Sequence, residues 1–333
     1  MMHVELSRQT ILKLTFFGGL LGLLGSLFLS LLVGTVSVSP VELWQFLTSS
    51  PLANTGEFIY RLRVPRALNA ALTGMNLALS GCILQGLVRN PLADPGIIGI
   101  SAGAGMAAML LMFLAPNLVF WVPIVAFIGA MGAAVLVFAL AWNRGVQPLF
   151  LVLSGVAVSV FFGGGMTALS VFFSDQVQGT IGWMAGGFNG CGWSHVRMIL
   201  PYSLLGVVGA MGLAGRLNAL QLGDEVACML GVPVKQTRTL LVMVAALLAA
   251  SAVSVAGLLG FVGLIVPHVT RLLVGSDFKV LIPCSAVLGA GFVVITDMAA
   301  RTLFNPVEVP VGIFMSFIGA PFFLYLLKRK MKQ

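Results

Sequence analysis

Charge is what this sequence has least of. Asp, Glu, Lys and Arg together make up 8% of its 333 residues, where a soluble protein carries about 25%. With 59% hydrophobic residues, that scarcity excludes a water-exposed globule and reads as a polytopic membrane protein. Histidine is almost absent. His3, His195 and His268 fall at the N-terminus, in a loop and at the end of an apolar run, and no metal set can be assembled from them. The four cysteines, Cys82, Cys191, Cys228 and Cys284, show no C-x-x-C spacing and suggest neither zinc nor a disulfide framework. No Gly-Lys dipeptide occurs, so the chain has no P-loop. Carboxylates inside apolar runs are missing as well, Asp297 coming closest near one run's end. Ion-coupled secondary transporters keep such carboxylates in the membrane, so their absence argues for transport energised by another chain. The net charge of +8 does not point to nucleic acid, because the bases are scattered over the ends of apolar runs.

Two short matches carry no chemistry. Gly99-Ile-Ser-Ala-Gly103 fits G-x-S-x-G, which would make Ser101 the nucleophile of an intramembrane serine protease. It opens an apolar helix instead of a strand–turn–helix elbow, and no histidine is near. Gly103–Ala108 mimics a dinucleotide fingerprint with no strand before it. Glycine itself is plentiful, at 40 residues. The G-x-x-x-G spacings Gly18/Gly22, Gly99/Gly103 and Gly182/Gly186 are expected to serve helix contacts.

A helical span needs roughly 20 apolar residues. Expected spans cover 12–34, 67–87, 96–115, 119–141, 149–173, 196–214, 239–257, 280–300 and 308–327. The run Leu240–Pro267 is too long for one span and short for two. Gly257, Gly260 and Gly263 allow a break there, and a short span at 258–272 brings the count to about ten. The first run follows Arg8 and Lys13 without an A-x-A site, so it is expected to be a retained span. Segments 35–66 and 174–195, rich in Ser, Pro, Gly, Asn and Trp, read as extracytoplasmic loops. With both termini inside, 13 of the 18 bases fall on the cytoplasmic side, as the positive-inside rule requires. The exceptions are Arg61, Arg63, Arg66, Arg197 and Arg301. Bases crowded on the disfavoured side suggest docking of an acidic partner; the alternative is snorkelling, or local pairing with Asp297 or Glu57.

The longest polar interruption is Arg216–Arg238, RLNALQLGDEVACMLGVPVKQTR, and the charge bias places it in the cytoplasm. Its centre reads as a two-turn helix. Asp224 and Glu225 suit the helix start, Val226, Ala227 and Leu230 supply one apolar face, and Gly231 and Pro233 end it. So short a helix must dock on something. Gly163, Gly164, Gly165 and Met166 on the fifth span are the candidates for lining a path, with helix packing as the alternative.

Three patches together carry a resemblance. The first is Arg61–Arg66 with Gln85-Gly-Leu-Val-Arg-Asn-Pro-Leu-Ala-Asp-Pro-Gly-Ile-Ile-Gly99. The second is Leu222-Gly-Asp-Glu-Val-Ala-Cys-Met-Leu-Gly231. The third joins Gly260–His268 and Arg271 to Asp297-Met-Ala-Ala-Arg301, Val309–Gly312 and Gly319-Ala-Pro321. From about residue 40 to the C-terminus the chain closely resembles the FecCD-type permeases of ABC importers. The resemblance implies an all-α, ten-span fold of the type II ABC importer permease kind in one domain over 1–333. It implies a bacterial cytoplasmic (inner) membrane protein and partners: a second permease copy or paralogue, two cytoplasmic ATPase subunits and an extracytoplasmic binding protein. The chain itself is then a permease and no enzyme. It holds no cofactor, ATP and magnesium being bound by the partner ATPase. Matched positions make Arg63, Arg66 and Arg301 the pocket that receives acidic knobs of the binding protein. Gly223, Asp224, Glu225, Ala227 and Gly231 match the coupling loop seated in the ATPase cleft. Cys228 and Met229 are less polar than such a loop requires, leaving its docking face open. Among substrates the Asn90–Pro95 loop and the glycines after it resemble siderophore permeases best, with haem and cobalamin as alternatives.

Overall fold

Hydrocarbon offers no water to bond backbone N–H and C=O groups, so an apolar chain must satisfy them within helices. The computed structural model describes residues 8–34, 38–48, 54–142, 147–305 and 307–330. Among these, the regular structure is entirely helical. His3, Arg144 and Lys332 lie outside the described residues, as do parts of the expected 35–66 loop.

The helices are α1 (Arg8–Leu32), α2 (Pro40–Thr48), α3 (Asn54–Phe58), α4 (Val64–Val88), α5 (Ile100–Leu114), α6 (Val122–Trp142), α7 (Pro148–Phe172), α8 (Val177–Met184), α9 (Trp193–Gln221), α10 (Asp224–Met229), α11 (Val234–Ala256), α12 (Val262–Val274), α13 (Phe278–Thr302) and α14 (Val311–Lys330). A π-helical turn at Ile59–Arg63 leads into α4. Among the described residues seven helices are long and apolar enough to cross a membrane, in α1, α4, α6, α7, α9, α11 and α13. Ile100–Leu114, Val262–Val274 and Val311–Leu324 are apolar but shorter. The expectation of about ten spans is therefore met in full length by seven. The shortening has local causes. A 3-10 turn at Pro95–Ile98 delays the start of α5, and Phe261, at φ +66°, delays that of α12.

Helix α4 is the centre, packed by α9, α11, α12 and α13. Small residues permit this. A Cβ on Gly74 would run into the Gly289 carbonyl, and one on Gly81 into that of Gly263. Backbones this close gain dispersion contacts where no hydrophobic force separates protein from lipid. The expected glycine contacts hold only in part. Gly103 does press on Gly129 and Ala133, but Gly18, Gly22 and Gly182 face open space. For Gly18 and Gly22 the reason is position, since α1 lies on the periphery with 11% of its apolar stretch buried. Polar side chains tie α4 to its neighbours. Asn76 Nδ2 donates to Ser203 Oγ at 2.8 Å and Ser251 Oγ at 3.0 Å, and Ser80 Oγ to the Ala245 carbonyl at 2.7 Å. Gln85 donates to the Gly263 carbonyl at 3.0 Å and accepts from Arg271 at 3.2 Å.

Candidate functional site

Helix α9 has 29 residues, about 44 Å of helix at 1.5 Å per residue. A hydrocarbon core is about 30 Å thick, so α9 is longer than one perpendicular crossing. At its C-terminal end it runs on to Gln221, seven residues beyond the expected span. The polar stretch 216–238 is consequently the tail of α9, the short α10 and the first turns of α11. Gly223 (φ +109°) reverses the chain before α10, and Gly231 (φ +77°) releases it afterwards.

Only one side of α10 is held. Ala227 is fully buried against the core, and its carbonyl accepts from Val232 N at 3.0 Å. The expected apolar face of Val226, Ala227 and Leu230 is split between two directions. A six-residue helix turns less than twice, so Ala227 alone points in, while Val226 and Leu230 stand exposed with Leu222, Cys228 and Met229. Met229 is 81% exposed. The acids also divide. Asp224 Oδ1 accepts from Arg89 Nη2 at 3.0 Å and from Arg238 Nη2 at 2.8 Å, while Glu225 is exposed. Arg89 caps α4 in the left-handed region (φ 53°, ψ 35°), a conformation costing of order 1–3 kcal/mol for a residue with a Cβ. Its Nη2 also donates to the Leu220 carbonyl at 2.6 Å.

At the opposite end of α4 the structure brings Arg63, Arg66 and Arg301 together and turns them inward. Arg66 grips Asp297 with two nitrogens, Nε to Oδ2 at 3.0 Å and Nη2 to Oδ1 at 2.9 Å, and reaches Glu308 at 3.0 Å. Arg301 Nη2 donates to the Ser30 carbonyl at 2.7 Å and to its hydroxyl at 2.9 Å. Arg63 Nη1 donates to the Leu31 and Leu32 carbonyls. Helix α1 carries no base in its last turn. Two arginines from other elements therefore supply the cations its C-terminal carbonyls favour. Arg63 and Arg301 are each 4% exposed, so of the three expected docking residues Arg66 keeps the most open edge. Arg61 pairs locally with Glu57 at 2.8 Å.

The four residues expected along a path split by face. Gly163 and Gly164 open onto space, whereas Gly165 sits against Met106 and the Met166 sulfur against Gly105 on α5. A cavity of about 630 Å³ lies among Arg66, Phe120, Trp183, Cys191, His195 and Ser254. The only sequence signal for it was the Trp- and Gly-rich 174–195 segment that forms one wall. On the other side of the molecule, Asp94 caps the Pro95–Ile98 turn by accepting from Gly96 N at 2.8 Å. Burial pushes its carboxyl up to about 6 against that bond.

The model of the FecCD transport family matches residues 22–329. The chain belongs to this family. Among FecCD relatives it is 39% identical over 311 residues to the iron(3+)-hydroxamate import system permease protein FhuB of Bacillus subtilis (strain 168). That alignment covers 91% of this chain and 80% of FhuB. It is 44% identical over 268 residues to the cobalamin import system permease protein BtuC of Halobacterium salinarum, covering 80% and 72% respectively. Its fold matches a solved metal-chelate type ABC transporter in an inward-facing conformation, with a TM-score of 0.84, 31% identity, and coverage of 94% of this chain and 98% of that one. As a FecCD protein it is an integral membrane transport subunit, not an enzyme. The FecCD-like patches now have places. Gln85–Gly99 is the end of α4 and the turn into α5, Leu222–Gly231 is α10 with its two glycine turns, and Asp297–Arg301 closes α13 beneath Arg66.

Proposed function

We propose that this chain is the permease subunit of an ATP-driven importer that carries a metal chelate, foremost a ferric siderophore, across a bacterial cytoplasmic membrane. The observation that carries the reading is α10: a short helix beyond the end of a long span, its charge neutralised from behind and its apolar residues facing out. Apolar side chains held clear of the bilayer need a protein partner. The chain has no P-loop, so that partner is a cytoplasmic ATPase which binds ATP and magnesium. Two ATPases serve a pair of permeases, this chain with a second copy or a paralogue. The seven long helices and three shorter ones make ten crossings and put both termini in the cytoplasm. A binding protein docks outside over Arg63, Arg66 and Arg301. Because two of these are turned inward, the open edge of Arg66 receives its acid. Gly163 and Gly164 face the path, and Gly165 and Met166 hold α7 against α5.

Ferric hydroxamate leads because the FhuB of Bacillus subtilis is named for its import. A second reading, cobalamin, is favoured by the 44% identity to the halobacterial BtuC. The deciding experiment reconstitutes the permease with its ATPase and offers binding proteins loaded with a ferric hydroxamate, ferric citrate or cobalamin. Faster ATP hydrolysis with the ferric hydroxamate is expected, and faster hydrolysis with cobalamin alone would move the assignment there. Uptake that survives loss of the ATPase's phosphate-binding lysine would end the importer reading.

A further inference from the structure

The outward face of α10 says where a partner sits but not how its movement enters the membrane. Two arginines do. Arg89 ends α4, and Arg238 lies in the second turn of α11. Both place Nη2 on the same oxygen of Asp224. Helices α4 and α11 are the deepest of the long helices, with 78% and 72% of their apolar stretches buried. The carboxylate at the start of α10 is thus tied directly to the two helices at the middle of the bundle.

Two further observations single out this contact. Arg89 is one of two non-glycine residues with positive φ among those described. Glycine would relieve that conformation, yet only a long cationic side chain can reach the Leu220 carbonyl and Asp224 together, joining α4, α9 and α10. Backbone strain is held where a side chain has that much to connect. Arg238, for its part, is 4% exposed and holds a carboxylate whose side chain is 47% exposed. Helix capping does not account for the carboxylate. Gly223 is the cap residue of α10, and Asp224 faces the guanidinium groups of other helices.

We infer that Asp224 is a positioning residue, clasped by Arg89 and Arg238, that carries displacement of α10 into α4 and α11. It acts through those arginines and touches neither chelate nor nucleotide. The inference rests on the reading that α10 meets the ATPase. It adds that Asp224, half exposed, is turned to the two arginines to transmit, while Val226, Met229 and Leu230 face outward to dock.

The test uses the complete importer in proteoliposomes with a ferric hydroxamate as probe. Asp224→Asn keeps the shape of the side chain and removes its charge. The chelate moved per ATP hydrolysed should fall about tenfold, the scale of one charged hydrogen bond, while the ATPase stays bound because the apolar face is untouched. Asp224→Glu should restore most of the ratio. A normal ratio in an assembled Asp224→Asn importer would overturn the inference. So would release of the ATPase by that variant, since Asp224 would then be a docking contact. Should Asp224→Asn fail to fold, Arg89→Gln removes one tie and leaves the other; a fall of about threefold is expected from a weakened charged contact, and no fall overturns the clasp. Met229→Glu separates the two levels. Retention of the ATPase by that variant ends the docking reading, whereas the Asp224 variants judge only the link behind it.

Discussion

Helices α4 and α7 are each 25 residues long and occupy opposite places. Seventy-eight per cent of the apolar stretch around α4 is buried, against 17% for α7. The deeper helix is the more polar one. It carries Asn69, Thr73, Asn76, Ser80 and Gln85, all buried, while α7 shows Leu153, Val156, Val160 and Phe161 to its surroundings. A soluble protein would reverse this. In lipid an apolar side chain is at home outside, and a polar one must find partners inside. Apolarity in this chain therefore marks what crosses the membrane, while small and polar residues mark what lies at the centre.

The comparison can be broken at several points. The largest effect is expected from Asp297→Ala. It leaves Arg66 at the head of α4 with a buried charge short of its main partner, worth about 3–5 kcal/mol, read as loss of folded protein in detergent titration. Asp297→Asn should lose less. Next comes Gly81→Val. Its side chain would enter the Gly263 backbone and force helices apart for about 1–3 kcal/mol, seen as a lower midpoint in the same titration. Asn76→Ala removes two interhelical hydrogen bonds, and polar contacts of this kind in membranes measure about 0.6 kcal/mol each, up to 1.7. The smallest effect belongs to α7, where Val160→Ala should shift the isolated chain by no more than about 0.5 kcal/mol. A larger shift for Val160→Ala in the assembled importer than in the isolated chain would show that α7 faces a protein partner in place of lipid.

Much of the architecture could be read from apolar runs, because a run long enough to span has one economical conformation in lipid. The break at Gly257–Gly263 was legible in its glycines, and the structure puts α11 before it and α12 after it. Direction was not legible. The cluster of Arg63, Arg66 and Arg301 on the disfavoured side fitted either an outward basic pocket or local pairing with Asp297 or Glu57, and order along the chain did not choose between them. Their partners are the ends of α1 and an acid 231 residues beyond Arg66. Val226, Ala227 and Leu230 read as one apolar face, because periodicity identifies a stripe without saying what it faces.

Sequence alone determined that this chain crosses a membrane repeatedly and that its longest polar break falls at Arg216–Arg238. These follow from composition and order, which the bilayer reads residue by residue. Tertiary structure alone decided which helix is central, which arginines are buried, and that Asp224 answers to Arg89 and Arg238 at once. Those features depend on groups more than a dozen residues apart meeting in space, and the energy of a charge or a glycine is set by what stands opposite it.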